Sequence, residues 1–283
     1  MSLPQPGIGF RIVRRARQKL GPAIISGLNS LWPISRLNVG GGPNFAGLGW
    51  RNLEEVTGPW NPRSFRLSPT CRFPVTDASM SLVYTSHVLE HLEDETVSRI
   101  LVETKRVLRP GGRMLVKIPD FDLVLSTLAQ RDAGFFSNEN WGYDSLVWTW
   151  RNRGVADCIE TRAAMLFCGI WNRDFGNPFE MRETRNRESY HGPPPVDPEA
   201  LKVLLECQSP HAISQRLRAL AAKDHQFNHQ NAWSQREFHE LAAGHGFRLV
   251  STNSRDVVRA YHWVPDILSM YKISKYYEFE LAD

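Results

Sequence analysis

The sequence predicts an α/β chain, built as a doubly wound, mostly parallel sheet with a helical insertion before its last strands. Three observations carry this expectation. Short apolar runs punctuated by glycine turns fill residues 36–121, one amphipathic helix separates two of those runs, and a further helix–strand pair follows only at residues 234–251. A strand–helix–strand unit of this kind closes with a right-handed crossover and places its two strands parallel.

The elements follow in chain order. Residues 1–35 form a basic lead-in, since Arg11, Arg14, Arg15, Arg17, Lys19 and Arg36 are joined by no acid in the first 36 residues. This is the pattern of a solvated arm, or of a peripheral contact with an acidic surface or lipid headgroups. Leu37–Val39 reads as a short buried strand ending at Gly40-Gly41-Gly42, Arg51–Glu54 as a second strand and Leu82–Ser86 as a third. Val97, Ile100, Leu101, Thr104, Val107 and Leu108 then recur at helical spacing, with Asp94 and Glu95 suited to the start and Pro110-Gly111-Gly112 to the stop. Met114–Ile118 supplies the next strand. Ser234 and Glu237 form a capping box, Gly244-His245-Gly246 ends that helix, and Phe247–Ser251 is a strand. The expected organisation is therefore an extension over 1–35, a core over 36–131, an aromatic-rich insertion or lid over 132–225, and completion of the core over 226–283.

Composition narrows the function classes. A chain of 283 residues with 42% hydrophobic and 23% charged residues matches an ordinary soluble protein. No run approaches the roughly 18 apolar residues of a membrane span. The stretch from Gly21 to Ile34 is broken by Pro22, Gly27, Asn29 and Pro33, which also argues against a signal peptide, so a cytoplasmic location is expected. Cys71, Cys158, Cys168 and Cys207 contain no C-x-x-C pair, which disfavours a disulfide framework and a thiolate zinc site. A net charge of +4 is too small to point to nucleic acid.

Ligands of a doubly wound sheet bind outside the carboxyl ends of its strands. Asn38-Val39-Gly40-Gly41-Gly42 stands at such an end, where a glycine turn lets backbone approach a ligand. The dinucleotide form of the turn requires a third glycine, but Phe45 occupies that position and argues against a nicotinamide cofactor. Glu54 or Glu55, closing the second strand, suits the hydroxyls of a ribose.

Several motifs occur in order here: LNVGGGPNFAGLGWRNLEEV, SLVYTSHVLEHL and ETKRVLRPGGRMLVKIPDF, with NAWSQREFHELAAGHGFRLV matching more loosely. Together they resemble the class I S-adenosylmethionine-dependent methyltransferases, in particular the type 11-like branch. The resemblance implies a Rossmann-like core, S-adenosyl-L-methionine as cofactor, and methyl transfer to a small-molecule or saccharide acceptor, at oxygen. It implies that Asn38, Gly40 and Gly42 line the methionine part, that Glu54 holds the ribose, and that Ser86 and His87 face the transferred methyl. The branch often carries an adenine-binding aspartate before its fourth strand. Phe65-Arg66-Leu67-Ser68 has none, so Asp77 is the expected substitute, and Ser81 stands where another aspartate is common.

Methyl transfer from a sulfonium is an in-line displacement that needs alignment and, for a hydroxyl acceptor, a base. His87, as a neutral imidazole, is the first candidate base and Asp120 the second. Trp141, Tyr143, Trp148, Trp150, Trp171, Tyr190 and His191 offer stacking surfaces for the acceptor. Two other readings start from the same residues. The missing aspartate fits a cofactor-binding but inactive partner protein. His87-Val88-Leu89-Glu90-His91 spells H-x-x-E-H, the zinc-hydrolase motif, which requires a long helix to bring both histidines to one face; His225 and His229 repeat that spacing in a polar stretch.

Overall fold

The computed structural model describes residues 33–40, 45, 47–54, 65–66, 71–136, 158–168, 203, 206–207, 209–220 and 229–282. The basic lead-in up to residue 32, Gly41, Gly42, Glu55, His225 and the aromatic residues from Trp141 to Trp150 and from Trp171 to His191 lie outside the described residues.

The strands are β1 (Arg36–Val39), β2 (Trp50–Glu54), β3 (Phe65–Arg66), β4 (Met80–Ser86), β5 (Leu108–Pro119), β6 (Phe247–Ser251) and β7 (Ser274–Leu281). The helices are α1 (Asp94–Val107), α2 (Phe121–Ala129), α3 (Ile159–Cys168), α4 (Pro210–Leu220), α5 (Gln235–Gly244) and α6 (Ser254–Ala260). The sheet runs β3-β2-β1-β4-β5-β7-β6. Strands β1 to β5 pair in parallel, and β7 lies antiparallel between β5 and β6.

Alternation along the strands buries both faces of the sheet, as helices on both sides demand. Leu37, Val39, Val83, Met114, Val116 and Ile118 join one core with Val97, Ile100, Leu101 and Val107 of α1 and with Phe238 of α5. Leu82, Tyr84, Leu115 and Tyr276 face the other way, against Trp50, Val257, Val264 and Ile267. A third core joins Phe121, Val124 and Leu128 of α2 to Ala163, Ala164 and Phe167 of α3 and to Ile213 and Leu217 of α4. Helices α3 and α4 thus stack on the helix that leaves β5.

Several elements differ from the sequence reading. The strand after α1 begins at Leu108 rather than Met114 and takes in Pro110-Gly111-Gly112. Pairing with β4 explains this: the register advances from Met80 to Leu82 on one strand and from Leu108 to Arg113 on the other, so the Pro-Gly-Gly segment bulges from the ladder. Gly111 takes a φ of +73° there. Strands β3 and β7 were not foreseen. The capping box of α5 forms as expected: Ser234 Oγ accepts from Glu237 N at 3.1 Å, and Ser234 N donates to Glu237 Oε2 at 2.8 Å. Among the described residues no helix is long and apolar enough to cross a membrane.

Candidate functional site

Strand order reverses on either side of β1, whose neighbours are β2 and β4. The crevice outside the carboxyl ends of these strands is the place where such a sheet binds ligands. Val39 is in register with Leu53 of β2 and Thr85 of β4, and Ser86 with Lys117 of β5, so all four strand tips meet at this edge.

Gly40 leaves β1 with a φ of +74°. Its N–H donates to Leu53 O at 2.8 Å. A Cβ at this position would lie 2.4 Å from Val88 Cγ2 and 2.7 Å from Val88 Cγ1. Backbone conformation and close approach therefore both require glycine. Two residues earlier, Asn38 is fully buried and its Nδ2 donates to Asn52 Oδ1 at 2.6 Å. That bond ties β1 to β2 beneath the glycine turn. Glu54 is the last residue of β2, opposite Arg66 of β3.

His87 follows β4 directly, in the left-handed region at φ 52°. Its N–H donates to Lys117 O at 2.8 Å. Its ring bridges two partners, Nδ1 at 3.1 Å from Glu90 Oε1 and Nε2 at 2.8 Å from Ser274 Oγ. Ser274 Oγ also lies 2.7 Å from Met270 O, to which its hydroxyl can donate. Burial pushes the Glu90 carboxyl up, but the hydrogen bond from His87 and the fields of His91, His87 and His229 outweigh it and bring it to about 2. Glu90 is therefore a carboxylate, and Nδ1 donates to it. The ring acts as a strut from the β4 tip to the start of β7.

Asp120 stands at the end of β5 and caps α2, its Oδ1 accepting from Leu123 N at 3.1 Å. Its own N–H donates to Ile273 O at 2.9 Å. Burial raises the pKa of this half-buried carboxyl, with the Leu123 N–H and Lys275 opposing. Beside it in the strand, Lys117 is fully buried. Its Nζ donates to Ser269 Oγ at 2.7 Å, Ser269 O at 2.9 Å and Asp266 O at 3.2 Å. Burial lowers its pKa to about 8, with Asp266 and Glu90 opposing. The ammonium holds a turn in which Asp266 and Met270 both adopt positive φ, 57° and 49°. Sequence reasoning missed this lysine; the signal was one cation inside the apolar run Met114-Leu115-Val116-Lys117-Ile118.

Asp77 is the residue expected to meet the adenine. It precedes β4, at the amino edge of the parallel strands, and a strand of this length spans about 20 Å. The exposed carboxylate instead takes Arg106 Nη1 at 2.5 Å. Arg106 also donates to Phe73 O and Val75 O, both at 3.0 Å, so this network fastens the loop before β4 to the end of α1. Asp77 is thus on the wrong edge to meet an adenine bound at the carboxyl ends.

The H-x-x-E-H geometry does not form. Leu89–His91 is one 3₁₀ turn, and the His87 ring is engaged with Glu90 and Ser274 rather than sharing a face with His91. His91 instead meets His229, with ring centroids 4.7 Å apart at 62°.

Residues 51–116, from β2 into β5, match the family described as "Methyltransferase domain". An uncharacterized methyltransferase of Schizosaccharomyces pombe is 42% identical over 60 residues, 21% of each chain. An uncharacterized 37.1 kDa protein in transposon TN4556 of Streptomyces fradiae is 43% identical over 49 residues, 17% of this chain and 14% of that protein. The chain thus spans about a fifth or less of the length of the curated relatives it matches. Among solved structures, an S-adenosylmethionine-dependent methyltransferase from Mesorhizobium loti is 11% identical, covering 94% of this chain and 95% of that one at a TM-score of 0.39. The Burkholderia thailandensis 1,6-didemethyltoxoflavin-N1-methyltransferase with bound S-adenosylhomocysteine is 15% identical, covering 42% and 68% at a TM-score of 0.26.

Proposed function

We propose, from the premise that this chain belongs to the class I S-adenosylmethionine-dependent methyltransferase family, that it moves a methyl group from S-adenosyl-L-methionine to an oxygen of a small-molecule or glycan acceptor. The observation that carries this reading is the Gly40 turn, held against Val88 at the point where the strand order reverses and adjoining the segment that matches the family.

The donor set suits the cofactor. Gly40 exposes backbone where a Cβ has no room, and with Gly42 it is assigned to the methionine part. Glu54, closing β2, is assigned to the ribose, and Ser86 to the side of the crevice next to the methyl. Asn38 acts from beneath, holding β1 and β2 in register through Asn52. When bound, the cofactor supplies an electrophilic methyl on a positively charged sulfur. The protein's share is then alignment, which in such displacements supplies much of the rate.

A hydroxyl acceptor also needs somewhere to lose its proton. Asp120 takes that role, because a carboxyl whose pKa is raised by burial is a better base than an exposed one. His87 keeps the β4 tip and the start of β7 in fixed relation. Calorimetric titration of the purified protein with S-adenosylhomocysteine tests the reading, followed by transfer of labelled methyl to a panel of hydroxylated small molecules and saccharides. Saturable binding and a labelled oxygen ether are the expected results. Failure to bind at millimolar ligand refutes the proposal.

A further inference from the structure

We propose that Glu90, His91 and His229 form a binding site for a divalent transition-metal cation of the zinc class, beside the crevice and independent of methyl transfer. One ligand atom from each of the three lies within 4.8 Å of the others. Two come from the turn that follows β4 and the third from the segment that leads into α5. Backbone bonds fix these segments together: Gln230 N and Asn231 N both donate to Glu90 O, at 2.7 and 3.0 Å, and Asn231 Nδ2 donates to Leu92 O at 2.7 Å.

Two of the donors, Glu90 and His229, are oriented by a bond on their far side. Glu90 is fully buried, its Oε1 accepts from His87, and its Oε2 makes no hydrogen bond among the described residues. A buried, unsatisfied carboxylate oxygen costs free energy unless a positive partner meets it. His229 Nδ1 lies 2.9 Å from Leu166 O, and because a carbonyl only accepts, the proton of the neutral ring is on Nδ1 and the lone pair on Nε2. A metal-binding histidine is commonly oriented in this way, through its second nitrogen on a carbonyl. His87 bonded to Ser274 plays the corresponding outer role for Glu90.

Two imidazoles and one carboxylate select zinc-like ions over magnesium or calcium, and three protein ligands leave a position open for water. Ligand atoms on one tetrahedral ion at bond lengths of about 2.0–2.1 Å sit roughly 3.4 Å apart. The cluster therefore contracts on binding. His91, whose side chain is 30% exposed, is the ligand with room to move. The site differs from the H-x-x-E-H arrangement in both respects: His229 replaces His87, and the glutamate is a ligand rather than a base. A bound ion would fasten the β4 tip to His229 and, through Leu166, to α3.

The test uses the full chain stripped with chelator and titrated with zinc chloride by calorimetry, and with cobalt chloride while its visible bands are recorded. One ion per chain is expected, with no competition from magnesium. His91→Gln and His229→Gln, with circular dichroism confirming the fold, are expected to weaken binding by at least the roughly 10–100-fold typical of outer-sphere losses. His262→Gln, at an exposed histidine two residues past the end of α6, is expected to leave it unchanged. Glu90 is too deeply buried for its substitution to carry the test alone. The two histidine variants and the cobalt spectrum therefore decide. Absence of binding, or a stoichiometry and spectrum unaltered in both variants, overturns the proposal.

Discussion

Replacing Gly40 by alanine tests the crevice at its tightest point. A non-glycine residue in the left-handed region costs about 1–2 kcal/mol. The added Cβ would also meet two Val88 methyl carbons at 2.4 and 2.7 Å, and overpacking of that kind costs about 1–3 kcal/mol. Gly40→Ala is therefore expected to destabilise the protein by about 2–5 kcal/mol. Val88→Ala alone removes two half-buried methyls, at about 1 kcal/mol. Combining them removes the methyl contacts, though the Val88 Cβ at 3.1 Å stays close and φ remains +74°. The double variant should therefore be less destabilised than the sum of the singles, by about 1–3 kcal/mol. Urea unfolding followed by tryptophan fluorescence measures all four corners of the cycle. Additivity to within about 0.5 kcal/mol would show that Val88 does not crowd the turn, and the account of why β1 must end in glycine would fail with it.

Three further outcomes separate the roles assigned to carboxylates and the buried lysine. Asp120→Asn retains a side-chain oxygen for the α2 cap, so stability should change by less than about 0.5 kcal/mol while turnover falls by about 100-fold or more; equal turnover would remove Asp120 as base. Asp77→Ala should leave the dissociation constant for S-adenosylhomocysteine unchanged in calorimetry, and a large loss of affinity would place Asp77 at the crevice after all. Lys117 has its pKa lowered from 10.5 to about 8, so its charge is penalised in the fold below pH 8 and the penalty lifts as pH rises towards 10.5. The stability of the wild type relative to Lys117→Met should therefore increase over that window, by roughly 3 kcal/mol at most. A flat difference in denaturation free energy between pH 8 and 10.5 would contradict this.

What the sequence disclosed depended on whether the physical cause was local. The stripe Val97, Ile100, Leu101 and Val107 defines α1 because the side chains that bury together lie within one helix. The same holds for the Ser234–Glu237 capping box, closed by two bonds within four residues. Pro110-Gly111-Gly112 has local features of a helix stop, and it is one, yet its inclusion in β5 follows from pairing with Met80 of β4. Strand β7 carried a readable signal, Tyr276, Tyr277 and Phe279 set among Lys275, Glu278 and Glu280, but its place between β5 and β6 is fixed only by the closed sheet. In the site, Gly40 was legible because backbone geometry limits that position to glycine. The Nε2 partner of His87 was not legible, because Ser274 lies nearly two hundred residues along the chain. Lys117, too, is explained only by the turn at Asp266 to Ser269 that accepts its three protons. These distant partners share one feature: the contacts of His87 and Lys117 join the β4 and β5 tips to the first residue of β7 and the turn before it. That segment pairs antiparallel in the sheet, so its entry turn lies on the same edge as the parallel strands' carboxyl ends, within reach of both His87 and Lys117. The antiparallel insertion of β7 is therefore what lets the His87 ring and the buried Lys117 ammonium fix the crevice wall.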